Sequence, residues 1–368
     1  MPYPVPAIIS TSFSNTVSMR EALYVNGACV HADNLEAWSA DKTGIAAELG
    51  LFLAEWYAPA PTILLQTSGS TGTPKQMQAS KEAMRASARM TCEYFGLTPD
   101  KTALLCLPLR YIAGKMMVVR ALVSGCKLIL AEPSSTPLAG LSETIDFAPL
   151  VPMQVASTLK AAEGAEQLSR VRHILLGGGF VDTSLTRALQ CLPSQVYASY
   201  GMTETLSHIA LRHVNGIQRS EWYTPLTGVM VELTNASTLA ITAPHVGALR
   251  LATNDLAEIA PDGRFRILGR RDSVINSGGV KIQAEEVEQA LSAVTGLTLL
   301  VLPAPHSELG ECVALLWEGD TEAEAALQTA IATLPPYHRP RIVRHVPQIP
   351  RTDTGKLNRK AAQSAQQW

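Results

Sequence analysis

The chain lacks any bias of charge. Its 30 Lys and Arg stand against 32 Asp and Glu, a formal charge of −2. No basic block interrupts that balance, so nucleic acid or an anionic membrane surface is excluded as a main partner. No apolar run approaches the roughly 18 residues that a membrane-spanning helix needs. The opening residues, "MPYPVPAIISTSFSN", carry neither a basic region nor a sustained apolar stretch, so a secretory leader is not expected. Cysteine is sparse and unpaired in pattern: Cys29, Cys92, Cys106, Cys126, Cys191 and Cys312 form no C-x-x-C pair and do not cluster with histidine. Reduced core thiols in a reducing compartment are expected, with the cytoplasm as the default location. Internal repeats and low-complexity tracts are absent as well.

What is present is a globular composition, 46% hydrophobic and 17% charged over 368 residues, long enough for two or three domains. Short apolar runs, "PTILLQ", "TALLCLPL", "CKLILA", "HILLGGG" and "SQVYASYG", read as strands. Between them lie helical patterns, "SKEAMRASARMTCEYFGL" with Ser80 as cap, "KMMVVRALVSG" and "DTSLTRALQCL". Strand alternating with helix predicts an α/β fold with mostly parallel sheet. From about residue 225 the pattern shifts to short alternating segments, "VMVELTN", "TLAITAP", "ALRLATND" and "RFRILGR", which predict a β-rich subdomain. "GGVKIQAEEVEQALSAV" then opens a new strand–helix unit, placing a domain boundary at "GRRDS", residues 269–273.

One stretch concentrates unusual residues. "QTSGSTGTPKQ", residues 66–76, holds two glycines, two serines, three threonines and one lysine. A loop between strand and helix presents unpaired backbone N–H groups. Glycine lets the chain wrap closely round an anion, hydroxyls add donors, and Lys75 adds charge. A polyphosphate suits that chemistry; a plain solvated turn is the alternative. A Walker A loop does not fit, because Gln76 stands where its hydroxyl residue must follow the lysine.

"TSGSTGTPK" resembles the phosphate loop of the adenylate-forming superfamily of acyl-CoA synthetases, luciferases and peptide-synthetase adenylation domains. Six further segments resemble that family's motifs in order: "LPLRYIAG" (107–114), "LLGGGF" (175–180), "YGMTET" (200–205), "TNDLAEI" (253–259), "GRRDSVINSGGVKIQAEEVE" (269–288) and "PRTDTGKLNR" (350–359). The resemblance implies a large N-terminal core of mixed and parallel sheets with flanking helices and the β-rich subdomain, residues 1–269. It implies a hinge at 270–272 and a small mobile α+β lid at 273–368.

The implied reaction activates a carboxylic acid. A carboxylate attacks the α-phosphorus of ATP to give an acyl adenylate, whose leaving group is AMP, and coenzyme A then takes the acyl group. Negative charge gathers on phosphate oxygens in the transition state, so cations and donors must be held there in advance. By resemblance, Thr67, Ser68, Gly69, Ser70, Thr71, Gly72, Thr73 and Lys75 hold the β- and γ-phosphates. Thr203 donates to the α-phosphate and Glu204 holds Mg²⁺. Tyr200 and Gly201 back the adenine, with Gly178 and Gly179 permitting close approach. Asp255 accepts from the ribose hydroxyls, assisted by Arg270. Lys356 bridges the acyl carboxylate and the α-phosphate. Asp272 matches the hinge, and Gly278 and Gly279 approach the pantetheine channel after the lid has swung. Taken singly, Tyr200 reads equally as a core tyrosine, and Asp255 and Arg270 as solvated charges.

For the acid, "YIAGKMMVVRAL", "YGMTETLSHIAL" and "INSGGVKI" look like the short bacterial o-succinylbenzoate–CoA ligases of menaquinone biosynthesis. A pocket histidine common in the family is replaced by Tyr111. A substrate with a second carboxylate needs a cation or several donors; Lys115, Ser207 and His208 are the candidates. A solvated lysine and a structural histidine are the alternatives. Another aryl or acyl acid–CoA ligase, an enzyme loading a carrier protein, and a silent nucleotide-binding protein remain open. No motif fixes the oligomeric state, a homodimer included.

Overall fold

The computed structural model describes residues 21–66, 76–352, 355–366 and 368. The phosphate loop, Thr67–Lys75, therefore lies outside the described residues. A hairpin of β1 (Leu23–Val25) and β2 (Ala28–Val30) leads to helices α1 (Leu35–Ser39) and α2 (Gly44–Tyr57). β3 (Thr62–Gln66) then pairs antiparallel with β4 (Gln76–Ser80), Thr62 opposite Ser80 and Gln66 opposite Gln76. The expected strand–loop–helix is thus strand–loop–strand. "QMQAS" alternates well enough to pair back on "TILLQ", and the helix begins only afterwards.

That helix, α3 (Lys81–Phe95), starts at Ser80, whose hydroxyl accepts from the Ala83 amide at 3.4 Å. Met84, Ser87, Ala88, Thr91, Cys92 and Phe95 form its buried face, at the i, i+3, i+4 spacing of the sequence pattern. β5 (Thr102–Leu105), α4 (Ile112–Ser124), β6 (Lys127–Leu130), β7 (Ile145–Leu150), α5 (Pro152–Lys160), α6 (Gly164–Ser169), β8 (Val171–Leu176), α7 (Thr183–Ala188), β9 (Gln195–Gly201), β10 (His208–His213) and β11 (Thr224–Pro225) follow. They build a nine-stranded sheet ordered β11-β10-β9-β8-β7-β5-β6-β1-β2. From β9 to β1 every neighbouring pair is parallel, and antiparallel pairs close both ends. β7, "IDFAPL", was not anticipated: its proline and aspartate hide a strand that is buried almost throughout.

Helix α4 packs deep in the main core beside α3. Every residue from Gly114 to Leu122 is buried, Lys115 and Arg120 among them. A helix apolar on all sides belongs in a core, so those two charges stand out.

A second, antiparallel sheet is ordered β12 (Met230–Leu233), β13 (Thr238–Ala243), β14 (Ala248–Ile259) and β15 (Phe265–Arg270). The third, five-stranded sheet comprises β16 (Val274–Ser277), β17 (Val280–Gln283), β18 (Thr298–His306), β19 (Gly310–Glu318) and β20 (Ile342–His345). Helices α8 (Ala284–Thr295) and α9 (Glu324–Thr333) cover one face of it, around a separate apolar core that includes Trp317 and Leu315. The last helix is α10 (Arg359–Ala365). The α/β class, with large mixed sheet and β-rich subdomain, is the one read from the sequence.

Candidate functional site

Strands β14 and β15 set Asp255 directly opposite Arg270. The guanidinium reaches Asp255 Oδ1 with Nη1 at 3.2 Å and grips both carboxylate oxygens of Asp272 at 2.9 Å. The other oxygen of Asp255 accepts from the Tyr200 hydroxyl at 2.6 Å. Burial, then the adjacent Asp255 carboxylate, raises the Tyr200 pKa far above its usual range, so the phenol stays protonated and donates. Its ring lies edge-on to Phe265, with centroids 5.2 Å apart.

Lys356 arrives at this cluster from the far end of the chain. Arg351 bridges to Leu357, and Lys356 and Thr352 bond through backbone and hydroxyl at 2.7 and 3.2 Å. Gly355, at the lysine's side, has φ +81° and faces the Met153 thioether of α5. Lys356 is exposed as a residue, with its ammonium partly desolvated by the surrounding protein. That desolvation, with a smaller push from Arg270, lowers its pKa, against a pull from Asp255. The structure thus gathers Tyr200, Asp255, Arg270, Asp272 and Lys356 in one place, residues spread over 157 positions.

The nucleotide motif turns between β9 and β10. Thr203 and Glu204 form its outer tip, and Glu204 is exposed with no ion pair among the described residues. Gly201 is required here: a Cβ would strike the Ser207 carbonyl and the His208 Cα. Leu206 adopts φ +62° and ψ −37°, with the Ser207 amide donating to the Thr205 carbonyl at 2.7 Å. That is a γ-turn of the strained hand in a residue bearing a branched side chain. Thr205 over-determines it, its hydroxyl bonding Met202 and Ser207 backbone.

The strained turn aims Ser207 inward, where its hydroxyl accepts from Arg120 Nη2 at 2.5 Å and lies 3.2 Å from His208 Nδ1. His208 Nε2 in turn meets the Thr91 hydroxyl of α3 at 3.3 Å. Arg120 is 2% exposed, and its Nε has no hydrogen-bond partner. No carboxylate pairs with it among the described residues. Burial lowers its pKa, though a guanidinium remains charged at neutral pH. Burial, and secondarily Arg120, holds His208 well below the usual histidine range, so it is neutral. The result is a desolvated cation with Ser, His and Thr around it and no counter-ion. Such a charge is costly unless an anion joins it. Toward Glu204, a cavity of about 470 Å³ is bounded by Met77, Ala83, Leu206 and the Pro244–Gly247 turn.

The other candidates fall elsewhere. Lys115 does not join Ser207 and His208. It points to the opposite side of α4, 3.3 Å from Glu55 and 4.8 Å over the Phe52 ring on α2. Five helical positions separate it from Arg120, which rotates it well off that face. The structure does not bring it to the Ser207–His208 group, so Lys115→Met is expected to leave KM for any acid substrate within about twofold while lowering Tm, checked by steady-state kinetics and a thermal melt. Tyr111 stands before α4, half-buried under the Arg110 guanidinium at 5.0 Å, without a bond to the Arg120 group. Gly178, at φ +74°, and Gly179 follow β8 and lie against Val151 and Pro152. Gly278 and Gly279 form the two-residue turn of the β16–β17 hairpin with φ +60° and +86°, a geometry that needs glycine whatever else it serves. Thr67, Ser68, Gly69, Ser70, Thr71, Gly72, Thr73 and Lys75 lie outside the described residues.

For Mg²⁺, no group of three or more His, Cys, Asp or Glu side chains among the described residues could hold a metal. An unpaired Glu204 still fits, because Mg²⁺ is commonly held by one or two carboxylates together with substrate phosphates and water. Arg120 was missed by sequence reasoning. Its signal was available, a single charge inside the otherwise apolar "MMVVRALV".

Residues 26–257 match the AMP-binding enzyme family. A curated relative, 2-succinylbenzoate–CoA ligase of Haemophilus influenzae, is 30% identical over 273 residues, covering 70% of this chain and 59% of its own length. The chain spans about six-tenths of the length of the first curated relatives it matches. The solved acyl-CoA synthetase (AMP-forming)/AMP-acid ligase II-like protein of Dyadobacter fermentans is 34% identical with TM-score 0.61, covering 90% of this chain and 97% of that one. The o-succinylbenzoate coenzyme A synthetase of Bacillus subtilis in complex with ATP and magnesium shares the fold at 23% identity and TM-score 0.68, covering 82% and 69%. With a family match over more than half its residues and a full-length structural relative, the chain belongs to the AMP-binding enzyme family.

Proposed function

We propose that the protein is an AMP-forming acid–thiol ligase that activates a dicarboxylic aryl acid, o-succinylbenzoate, and passes it to coenzyme A in menaquinone biosynthesis. The observation that carries the acid's identity is Arg120, a buried guanidinium without a counter-ion among the described residues. It sits at the inner end of the turn whose outer end carries Thr203 and Glu204. An acid bound with its reactive carboxylate near Thr203 would extend its remote carboxylate to Arg120, Ser207 and neutral His208. A monocarboxylic acid would leave the guanidinium unpaired.

In this reading Asp255 receives the ribose hydroxyls, exchanging its bond from Tyr200 for bonds from the nucleotide. Lys356 places its ammonium between the attacking carboxylate and the α-phosphate, neutralising charge as it forms. Glu204 would hold Mg²⁺, which supplies charge neutralisation on the phosphates. The phosphate loop and Lys75 complete the polyphosphate site. Residues 1–269 act as the core, 270–272 as the hinge and 273–368 as the lid, and the electrostatic coupling of Lys356 to Asp255 supports an adenylating pose. The lid then turns about Asp272, bringing Gly278 and Gly279 toward the thiol. No helix among the described residues is long and apolar enough to cross a membrane.

Pyrophosphate release, followed by CoA consumption, is expected with o-succinylbenzoate at a kcat/KM at least about a hundredfold above benzoate or medium-chain acids. Equal turnover of benzoate would overturn the acid assignment. Release without CoA consumption would instead support transfer to a carrier protein.

A further inference from the structure

We infer that Arg359 is the positioning residue for Lys356, anchoring the lysine hairpin to helix α8 and, through α8, to the residues that Lys356 faces. The inference rests on the adenylating role of Lys356 proposed above. Arg359 opens α10 three residues beyond the lysine. Its Nη1 and Nη2 donate to the two oxygens of Glu288 at 2.8 and 2.7 Å, and Nη1 also reaches the Val301 carbonyl at 2.6 Å. The Val301 amide returns a bond to Glu288 at 2.6 Å. A second carboxylate, Glu285, lies 3.4 Å from Arg359 Nη2. Gln283 bonds Glu285 and donates to the Arg270 carbonyl at 3.0 Å. Arg270 itself holds Asp255 and Asp272. A continuous series of polar contacts therefore runs from the base of the lysine hairpin to Asp255, whose charge acts on the lysine's ammonium.

The geometry explains why such an anchor matters. The hairpin is closed by the Thr352–Lys356 bonds, and the Asn358 amide donates to the Pro350 carbonyl at 2.8 Å. A forked guanidinium on a half-buried carboxylate fixes orientation as well as distance, which a point charge cannot do. Misplacing a reacting group by about 1 Å can cost roughly a hundredfold in rate. The fork moves with the lid, because both partners belong to it. It should therefore govern adenylation, where Lys356 must be aimed, and spare the thiol step, from which the lysine has left.

Arg359→Lys keeps the charge and loses the fork. Glu288→Met with Arg359→Met removes both charges together, so neither is stranded in the interior. In both proteins the adenylation kcat, read as acid-dependent pyrophosphate exchange, is expected to fall about thirtyfold to a hundredfold. KM for ATP and acid, and CoA transfer from supplied acyl adenylate, should stay within about threefold. Equal loss in both half-reactions, or loss of cooperative melting in the double variant, would assign the pair to lid stability and overturn the inference. Lys356→Ala run in parallel separates the two levels of argument. If that variant retains exchange, the functional reading fails; if it loses exchange while the Arg359 variants keep theirs, the anchor fails alone.

Discussion

Lys356→Ala is expected to reduce acid-dependent pyrophosphate exchange by a factor of about 10³ or more, while CoA transfer from supplied acyl adenylate falls less than about fivefold. The asymmetry follows from where the ammonium stands. It stands within the electrostatic reach of Asp255 and Arg270, where partial desolvation strengthens its field on a developing phosphate charge. Only the first half-reaction develops that charge. The same desolvation lowers the lysine's pKa from its ordinary 10.5, and catalysis needs the protonated form. The exchange rate should therefore decline with rising pH through a midpoint below 10.5, and Lys356→Arg should carry the decline to higher pH whatever its residual rate. An alkaline limb unmoved by that substitution would assign the titration to another group. Equal impairment of both half-reactions would remove the two-pose scheme.

Much of this was legible in the sequence because the relevant signals are local. The α3 stripe and its Ser80 cap, the alternating strands after residue 225, and the motif residues Tyr200, Asp255 and Lys356 can be read from short windows. What was not legible depends on long-range pairing. β4 intervenes between the loop and the helix that starts at Ser80 because "QMQAS" finds β3 as a partner. β7 is concealed because its charged and cyclic residues violate strand composition, while its neighbours β5 and β8 supply the burial. Lys115 and Arg120 sit five positions apart on one helix, and sequence alone cannot say which faces the turn after β9. The Arg359–Glu288 pair spans 71 positions, beyond any window.

The proposed acid rests on the choice between those two α4 charges. Arg120→Met is expected to lower kcat/KM for o-succinylbenzoate by about a hundredfold to a thousandfold, the loss of one or two charge-assisted hydrogen bonds of roughly 1.5–3 kcal/mol each. Benzoate, which has nothing to place there, should change less than about threefold. Stability should move the other way. In the free protein the guanidinium is buried with one hydroxyl partner at 2.5 Å and an orphaned Nε. An apolar side chain of similar length spares that desolvation, so Tm should rise by a few degrees, equivalent to roughly 1–2 kcal/mol. A gain in stability joined to a substrate-selective loss of activity is the behaviour of a residue kept for binding at the expense of folding. A residue that merely braces α4 would lose both. Were Tm and the turnover of both acids to fall together, Arg120 would be structural, and the case for a dicarboxylic substrate would lose its physical support.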